Sequence, residues 1–201
     1  MSDTKESILL AALRLFAADG YEAVPVSAIA GELGITKGAL YRHYTGKRDI
    51  FEHILTRMEQ RDAEQARAFS LPEGPPGEME EAYRQASIGQ LIAYSRAQFR
   101  YWTQDAFAAP FRRLLTLEQY RSAEMGRLYQ QYLAAGPLGY VTELLGSLGF
   151  DRPAERAAAL YAPMFLLYSV YDGAADKAAV TVLLDACLET VRRALTEGGA
   201  A

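Results

Sequence analysis

The sequence predicts an all-α protein, and three observations carry that expectation. Apolar residues recur at helical spacing in every long segment, no stretch alternates with a period of two, and the breaks fall at glycine and proline clusters. Of the 201 residues, 50% are apolar and 23% charged, a balance that builds a core and excludes a disordered chain. The one cysteine, Cys187, excludes an internal disulfide and a Cys-rich metal cluster.

The elements follow in order. Leu9, Ala12, Leu13 and Phe16 keep the i, i+3, i+4, i+7 spacing of a helix with one buried face. That helix covers about 4–19, with capping oxygens on Ser2, Asp3 and Thr4 and a stop at Gly20. A short helix over 26–33 buries Ile29, Ala30 and Leu33, and Gly34 ends it. Ile35 is an apolar anchor, and Thr36 caps a third helix reaching about residue 44. After the Thr45-Gly46 break a longer helix starts at Lys47 and runs to about 69, with Ile50, Phe51, Ile54, Leu55 and Met58 on its apolar face. Three prolines and two glycines make 70–77 a loop. Further helices are expected over 78–107, from Pro110, over 118–135 with a stop at Gly136-Pro137, and over 138–148. The last two cover 151–171, ended by Asp172-Gly173, and 177–196; 198–201 is a tail of small residues.

The net charge of −4 conceals a local pattern. Residues 34–48 contain Lys37, Arg42, Lys47 and Arg48, with His43 among them and no acidic side chain. A basic segment on an acidic protein directs phosphate contacts to one surface. The stretch from Ser27 to Arg48 holds two short helices joined at Gly34, a helix-turn-helix pattern. In the second helix Leu40 and Ile35 point inward, while Thr36, Lys37, Gly38, Arg42 and His43 are exposed. Lys37 can donate to guanine O6 and N7, and Thr36 can donate, accept or offer its methyl. Gly38 and Ala39 are small enough for close approach to a groove. Tyr41, His43 and Lys47 are donors suited to phosphates, and Lys47 opens a helix whose free N–H groups attract anions. A solvated basic turn between packed helices is the plainer reading of the same pattern.

These residues resemble the DNA-binding domain of the tetracycline-repressor (TetR) family. The resemblance lies in Gly20-Tyr21-Glu22-Ala23, Ile29-Ala30, the run from Gly34-Ile35-Thr36-Lys37-Gly38-Ala39-Leu40 to Tyr41-Arg42-His43-Tyr44, and Lys47-Arg48-Asp49-Ile50-Phe51. It covers about 5–55; beyond that it rests on helix order. It implies a homodimeric, all-helical transcriptional regulator, usually a repressor released by a small ligand. It implies base contacts for Lys37, Gly38 and Ala39, and phosphate contacts for Tyr41, His43 and Lys47. Arg42 sits where the family varies and meets either a base or a phosphate. The family usually has Ser or Thr just before the second helix, where this chain has Val24-Pro25; Ser27 is the candidate to take over that phosphate contact.

The remaining residues offer no catalytic constellation. His43 and His53, with one distant cysteine, make a poor metal site, and neither a Gly-rich phosphate loop nor a nucleophile elbow is present. No enzyme activity, cofactor or metal is expected. Aromatic residues are dense from Tyr94 to Tyr132, and most suit a core. Tyr94, Gln98, Trp102, Tyr129, Phe165 and Tyr168 are the candidates to line a pocket for a flat aromatic or extended hydrophobic ligand. The last two helices are apolar over too wide an arc for one buried face. Leu160, Met164 and Leu167 on one, with Leu184, Leu188 and Val191 on the other, are the candidate dimer interface. Ala157, Ala158 and Ala159 permit close approach there.

The sequence therefore divides into a helix-turn-helix domain over 1–46 and a larger helical domain over 47–201 for ligand binding and dimerisation, joined by the helix from 47 to about 69. The expected partners are double-stranded DNA with a palindromic operator, a small-molecule effector and a second copy of the chain. The N-terminus lacks the pattern of a signal peptide and no apolar run spans a bilayer, so the expected location is the cytoplasm. The reading from another class is a helical carrier or enzyme for a small apolar molecule, without an operator. A basic third helix has no use in such a protein.

Overall fold

The computed structural model describes residues 2–68 and 87–197, and every regular element among them is a helix. In chain order these are α1 (Ser2–Asp19), α2 (Val26–Glu32), α3 (Lys37–Tyr41), α4 (Lys47–Ala68), α5 (Ile88–Gln104), α6 (Ala108–Glu118), α7 (Ala123–Leu133), α8 (Ala135–Ser147), α9 (Pro153–Gly173) and α10 (Lys177–Glu197). The predicted loop at 70–77, the helix onset near 78 and the tail at 198–201 lie outside the described residues.

Contacts divide the chain into two compact units. One consists of the chain up to Asp62 together with Gln104–Tyr129; the other is the remainder. The functional division expected from sequence falls at residue 46, whereas the first compact unit also takes in most of α4, all of α6 and the start of α7.

In the first unit α1 packs on α6 and α2, and α2 packs on α3. The predicted stripe of Leu9, Ala12, Leu13 and Phe16 is buried, as are Ile29, Ala30 and Leu40. Ile50, Phe51, Ile54 and Met58 of α4 are fully buried, with Leu55 half-buried beside them. From the later segment Phe107, Ala108, Phe111, Leu114 and Leu115 join this core. Each fully buried Phe contributes on the order of 1.5–3 kcal/mol, so Phe16, Phe51, Phe107 and Phe111 anchor the unit. Between α2 and α3 the chain turns at Gly34, whose φ of +64° is left-handed. No atom stands within 4 Å of where a Cβ would be, so the glycine is required by backbone conformation rather than by space.

In the second unit α9 packs on α8 and on α10. The structure shifts one predicted boundary here. Gly136 and Pro137 lie in the first turn of α8 instead of ending the helix before it. The break falls at Ala134, at φ −133° and ψ −93°. Proline is accepted in a first helical turn because the N–H it lacks has no partner there, so the Gly-Pro pair marks a start. Likewise α7 begins at Ala123 rather than near 118, because α6 continues through Glu118 and residues 119–122 turn.

The wide apolar arc of the last two helices resolves into two faces. Leu160, Met164, Leu167, Leu184 and Leu188 are buried within the unit, and Val191 is half-buried. Phe165, Leu166 and Val170 on α9, and Val182 and Leu183 on α10, are the large apolar residues left exposed. The inward face is already filled by α9 and α10 themselves. The candidate interface residues from the sequence thus lie on the buried face, and the exposed apolar side chains are the second set.

Candidate nucleic-acid interface

The second and third helices form the expected helix-turn-helix. Pro25 is the N-cap of α2 with extended backbone (φ −79°, ψ 157°) and supplies no capping side chain. Arg14 of α1 reaches Glu32 of α2 at 3.3 Å. Thr36 caps α3, its Oγ1 accepting the Ala39 N–H at 3.1 Å. This leaves the hydroxyl proton of Thr36 available for donation. Leu40, fully buried, fixes α3 to the core. Thr36, Lys37, Gly38, Tyr41 and Arg42 are consequently exposed, with Ala39 and His43 half-buried. Ser27 stands exposed on α2. Small residues at 38 and 39 leave the backbone of this short helix open to close approach.

Two candidates have specific partners. The ammonium of Lys37 lies over the Tyr41 ring, 5.6 Å from its centre. Lys47 turns back toward the corner between α1 and α2. Its Nζ donates to the carbonyl oxygens of Tyr21 at 2.9 Å and Glu22 at 3.2 Å. It also stands 3.5 Å from the Glu22 carboxylate and 4.5 Å from the centre of the Tyr21 ring. The ammonium expected on a phosphate is thus occupied within the chain.

The start of α4 is secured by Asp49, whose carboxylate accepts the Thr45 N–H at 2.6 Å and the Thr45 hydroxyl at 3.1 Å. That backbone hydrogen bond holds the Asp49 carboxyl below its ordinary value. The His53 Nδ1 lies 3.0 Å from the same carboxylate, and its ring meets Tyr44 edge-on at 5.0 Å. Tyr44 is buried, donates its hydroxyl to the Lys5 carbonyl at 3.2 Å, and is pushed up to about 12 by that burial.

Three further residues tie this region to the segment that follows α5, and no periodicity in the sequence marks them. Glu118, buried at the end of α6, accepts the Tyr21 N–H at 3.1 Å. Arg121 donates to the same carboxylate oxygen at 3.0 Å. Arg48 places its two terminal nitrogens on Glu124, at 2.7 and 2.8 Å, and its Nε on Glu52 at 2.8 Å. The partners are 97 and 76 residues apart in sequence, beyond the reach of any local pattern.

The candidate pocket residues divide between the units. Tyr94 and Gln98 are half-buried and Trp102 buried on α5, while buried Tyr168 on α9 stacks on Phe99 at 5.4 Å. Trp102 meets Tyr101 at 5.4 Å and Tyr132 at 6.5 Å, both edge-on. Phe165 is exposed, and Tyr129 is buried in the first unit. Tyr120, in the aromatic-rich stretch, is 91% exposed and no part of a core. Among the described residues no group of three or more His, Cys, Asp or Glu side chains is placed to hold a metal ion. No helix among them is long and apolar enough to cross a membrane.

Comparison with known proteins bears on this arrangement. Residues 8–54 match the family model described as bacterial regulatory proteins, tetR family. The chain is 29% identical over 113 residues to the HTH-type transcriptional regulator AcrR of Shigella flexneri, covering 56% of this chain and 46% of that one. The chain spans less than half the length of the curated relatives it matches. Among solved structures, a TetR-family transcriptional regulator from Streptomyces coelicolor superposes with a TM-score of 0.63 at 23% identity, covering 98% of this chain and 97% of that one. SmeT, the repressor of the Stenotrophomonas maltophilia multidrug efflux pump SmeDEF, superposes with a TM-score of 0.60 at 19% identity, covering 94% and 89%. A complex of SmeT with triclosan superposes at 0.61 and 19%, covering 96% and 91%. Residues 8–54 thus match the DNA-binding domain of the tetR family, and the chain shares the helical fold of solved TetR-family regulators.

Proposed function

We propose that this protein is a dimeric, sequence-specific DNA-binding regulator, a repressor released by a small hydrophobic or aromatic ligand. The observation that carries the DNA-binding part is α3. Its apolar side, Leu40, is fully buried, and its other side presents Thr36, Lys37, Gly38, Tyr41 and Arg42 to solvent. A helix of this kind enters a major groove with its N-terminal residues on base edges. In this reading Lys37 and Thr36 read bases, and Gly38 and Ala39 allow close approach. Tyr41, His43 and Ser27 meet phosphates, and Arg42 meets either. Lys47 acts through the corner it holds at Tyr21 and Glu22.

Dimerisation is supported by the exposed apolar stripe of Leu166, Val170, Val182 and Leu183, which stands on helices whose other face is already packed. A symmetric pair of reading helices calls for a palindromic operator. Effector release is supported by the aromatic cluster around Trp102 and Phe99, and by the triclosan complex of a protein with this fold. Any such ligand acts only by binding the released state more tightly than the DNA-bound one.

The test is a gel shift on sheared genomic DNA at two salt concentrations, with wild type and Lys37→Ala. Retention that weakens with salt, with the most tightly held fragments lost in the variant, supports the reading. Trp102 is the chain's one tryptophan, so its emission reports a bound effector directly. If no hydrophobic compound both perturbs that emission and frees the DNA, the inducible part is withdrawn.

A further inference from the structure

We propose that residues 118–124 form a clip that sets the orientation of the DNA-reading helices, with Glu118 and Glu124 as positioning residues for operator binding. The proposal rests on the reading above, that two copies of the chain dock on one operator.

The first grip is the corner between α1 and α2. Glu118 is only 2% exposed, and its carboxylate accepts the Tyr21 N–H and the Arg121 guanidinium on one oxygen. Tyr21 is held from other sides as well: its ring lies against Phe16 at 5.1 Å and Phe51 at 5.2 Å, and its carbonyl takes the Lys47 ammonium. Gly20, at φ +90°, completes the corner. A Cβ there would stand 2.7 Å from an Arg121 nitrogen and 2.8 Å from the Glu118 oxygen. The ion pair thus occupies the space that any other residue at position 20 would need.

The second grip is the start of α4. Arg48 is the second residue of that helix and holds Glu124 with both terminal nitrogens, a geometry that fixes angle as well as distance. One short stretch therefore grips the chain on both sides of α2 and α3. Desolvation offsets much of the attraction in a buried ion pair, so the effect of Glu118 falls more on geometry than on stability.

Chain connectivity makes that geometry consequential. The chain passes between the two units at 62–63, 103–104 and 129–130. Without the clip, the apolar packing of α6 on α1 and the chain through α4 would hold α1–α3. With it, polar contacts from the segment between the second and third passages fix their angle as well. Two reading helices that must meet two grooves at once depend on such constraint.

The test is binding to palindromes whose half-site spacing is optimal, or longer or shorter by one base pair. Wild type, Glu124→Ala and Glu118→Gln are compared. Glu124 is 37% exposed, so its replacement leaves the core intact even where a change at Glu118 disturbs it. Each variant is expected to lose about threefold in discrimination against the altered spacings while its base preference within a half-site stays as in wild type. A merely structural role would lower affinity for all spacings by one factor. Variants with the wild-type spacing profile overturn the clip. A wild-type protein indifferent to spacing overturns the two-copy reading itself, and the clip with it.

Discussion

The Lys37 ammonium stands over the ring of Tyr41, 5.6 Å from its centre, four residues further along the exposed side of α3. At an exposed site such a contact contributes about 0.5–1 kcal/mol. It holds a long, flexible cation on the exposed side of the helix. Tyr41→Phe keeps the ring and loses a phosphate donor, so affinity should fall for all sequences together. Tyr41→Leu should in addition weaken preference at the base that Lys37 reads, by about 0.5–1 kcal/mol. Competition with operators substituted at single positions measures this. Equal base preference in the two variants would contradict it.

Lys47 gives a second separation of roles. Its ammonium serves the Tyr21 and Glu22 carbonyls, which Lys47→Met would leave short of a charged donor. The expected loss of stability is about 1–3 kcal/mol, read from denaturant unfolding. DNA affinity should fall with it, but the slope of log affinity against log salt should stay as in wild type. A direct phosphate contact would lower that slope by about one.

The two faces of α10 predict opposite outcomes for neighbouring substitutions. Leu183 is 52% exposed and Leu184 is 1% exposed. Leu183→Glu should leave a folded monomer at concentrations where wild type is dimeric. Leu184→Glu should unfold the unit, because an unpaired charge in a core costs several kcal/mol. Sedimentation together with circular dichroism distinguishes the two. A folded wild-type monomer at micromolar concentration would remove the dimer.

Acid should loosen the DNA-reading unit in a defined window. The Arg48 guanidinium hydrogen-bonded to Glu124 lowers that carboxyl from its ordinary 4.5, and the Thr45 N–H lowers Asp49 from its ordinary 3.8. The unfolded chain titrates at the ordinary values and so binds more protons below them. The stability these groups contribute is complete above about 4.5 and is lost as pH falls through the depressed values. Thermal melting should hold level from neutral pH to about 5 and then fall, and Glu124→Ala should remove part of that fall.

Periodicity carries the fold because a helix with one buried face repeats its apolar residues locally. Leu9, Ala12, Leu13 and Phe16 show this, and so do the Gly34 turn and the Thr36 cap. The exposed side of α3 was legible for the same reason. Two things were not. Periodicity identifies an apolar arc without telling which part a neighbouring helix of the same chain covers: Leu184 and Leu188 are buried, whereas Leu183 and Leu166 are exposed. Pairings such as Glu118 with Tyr21, and Arg48 with Glu124, depend on tertiary packing between distant segments. The inward turn of Lys47 has the same origin, since its acceptors are backbone carbonyls 25 and 26 residues away.

Selection of bound DNA from a random pool decides whether α3 reads sequence. Sequence-specific reading by two copies of α3 predicts enrichment of an inverted repeat whose half-site centres lie about 34 Å apart, or a multiple of that. Lys37→Ala should relax one position in each half-site and cost about 1–3 kcal/mol of specific affinity. A pool that enriches no motif, or a motif and affinity unchanged by Lys37→Ala, would contradict the assignment of α3 as the reading helix.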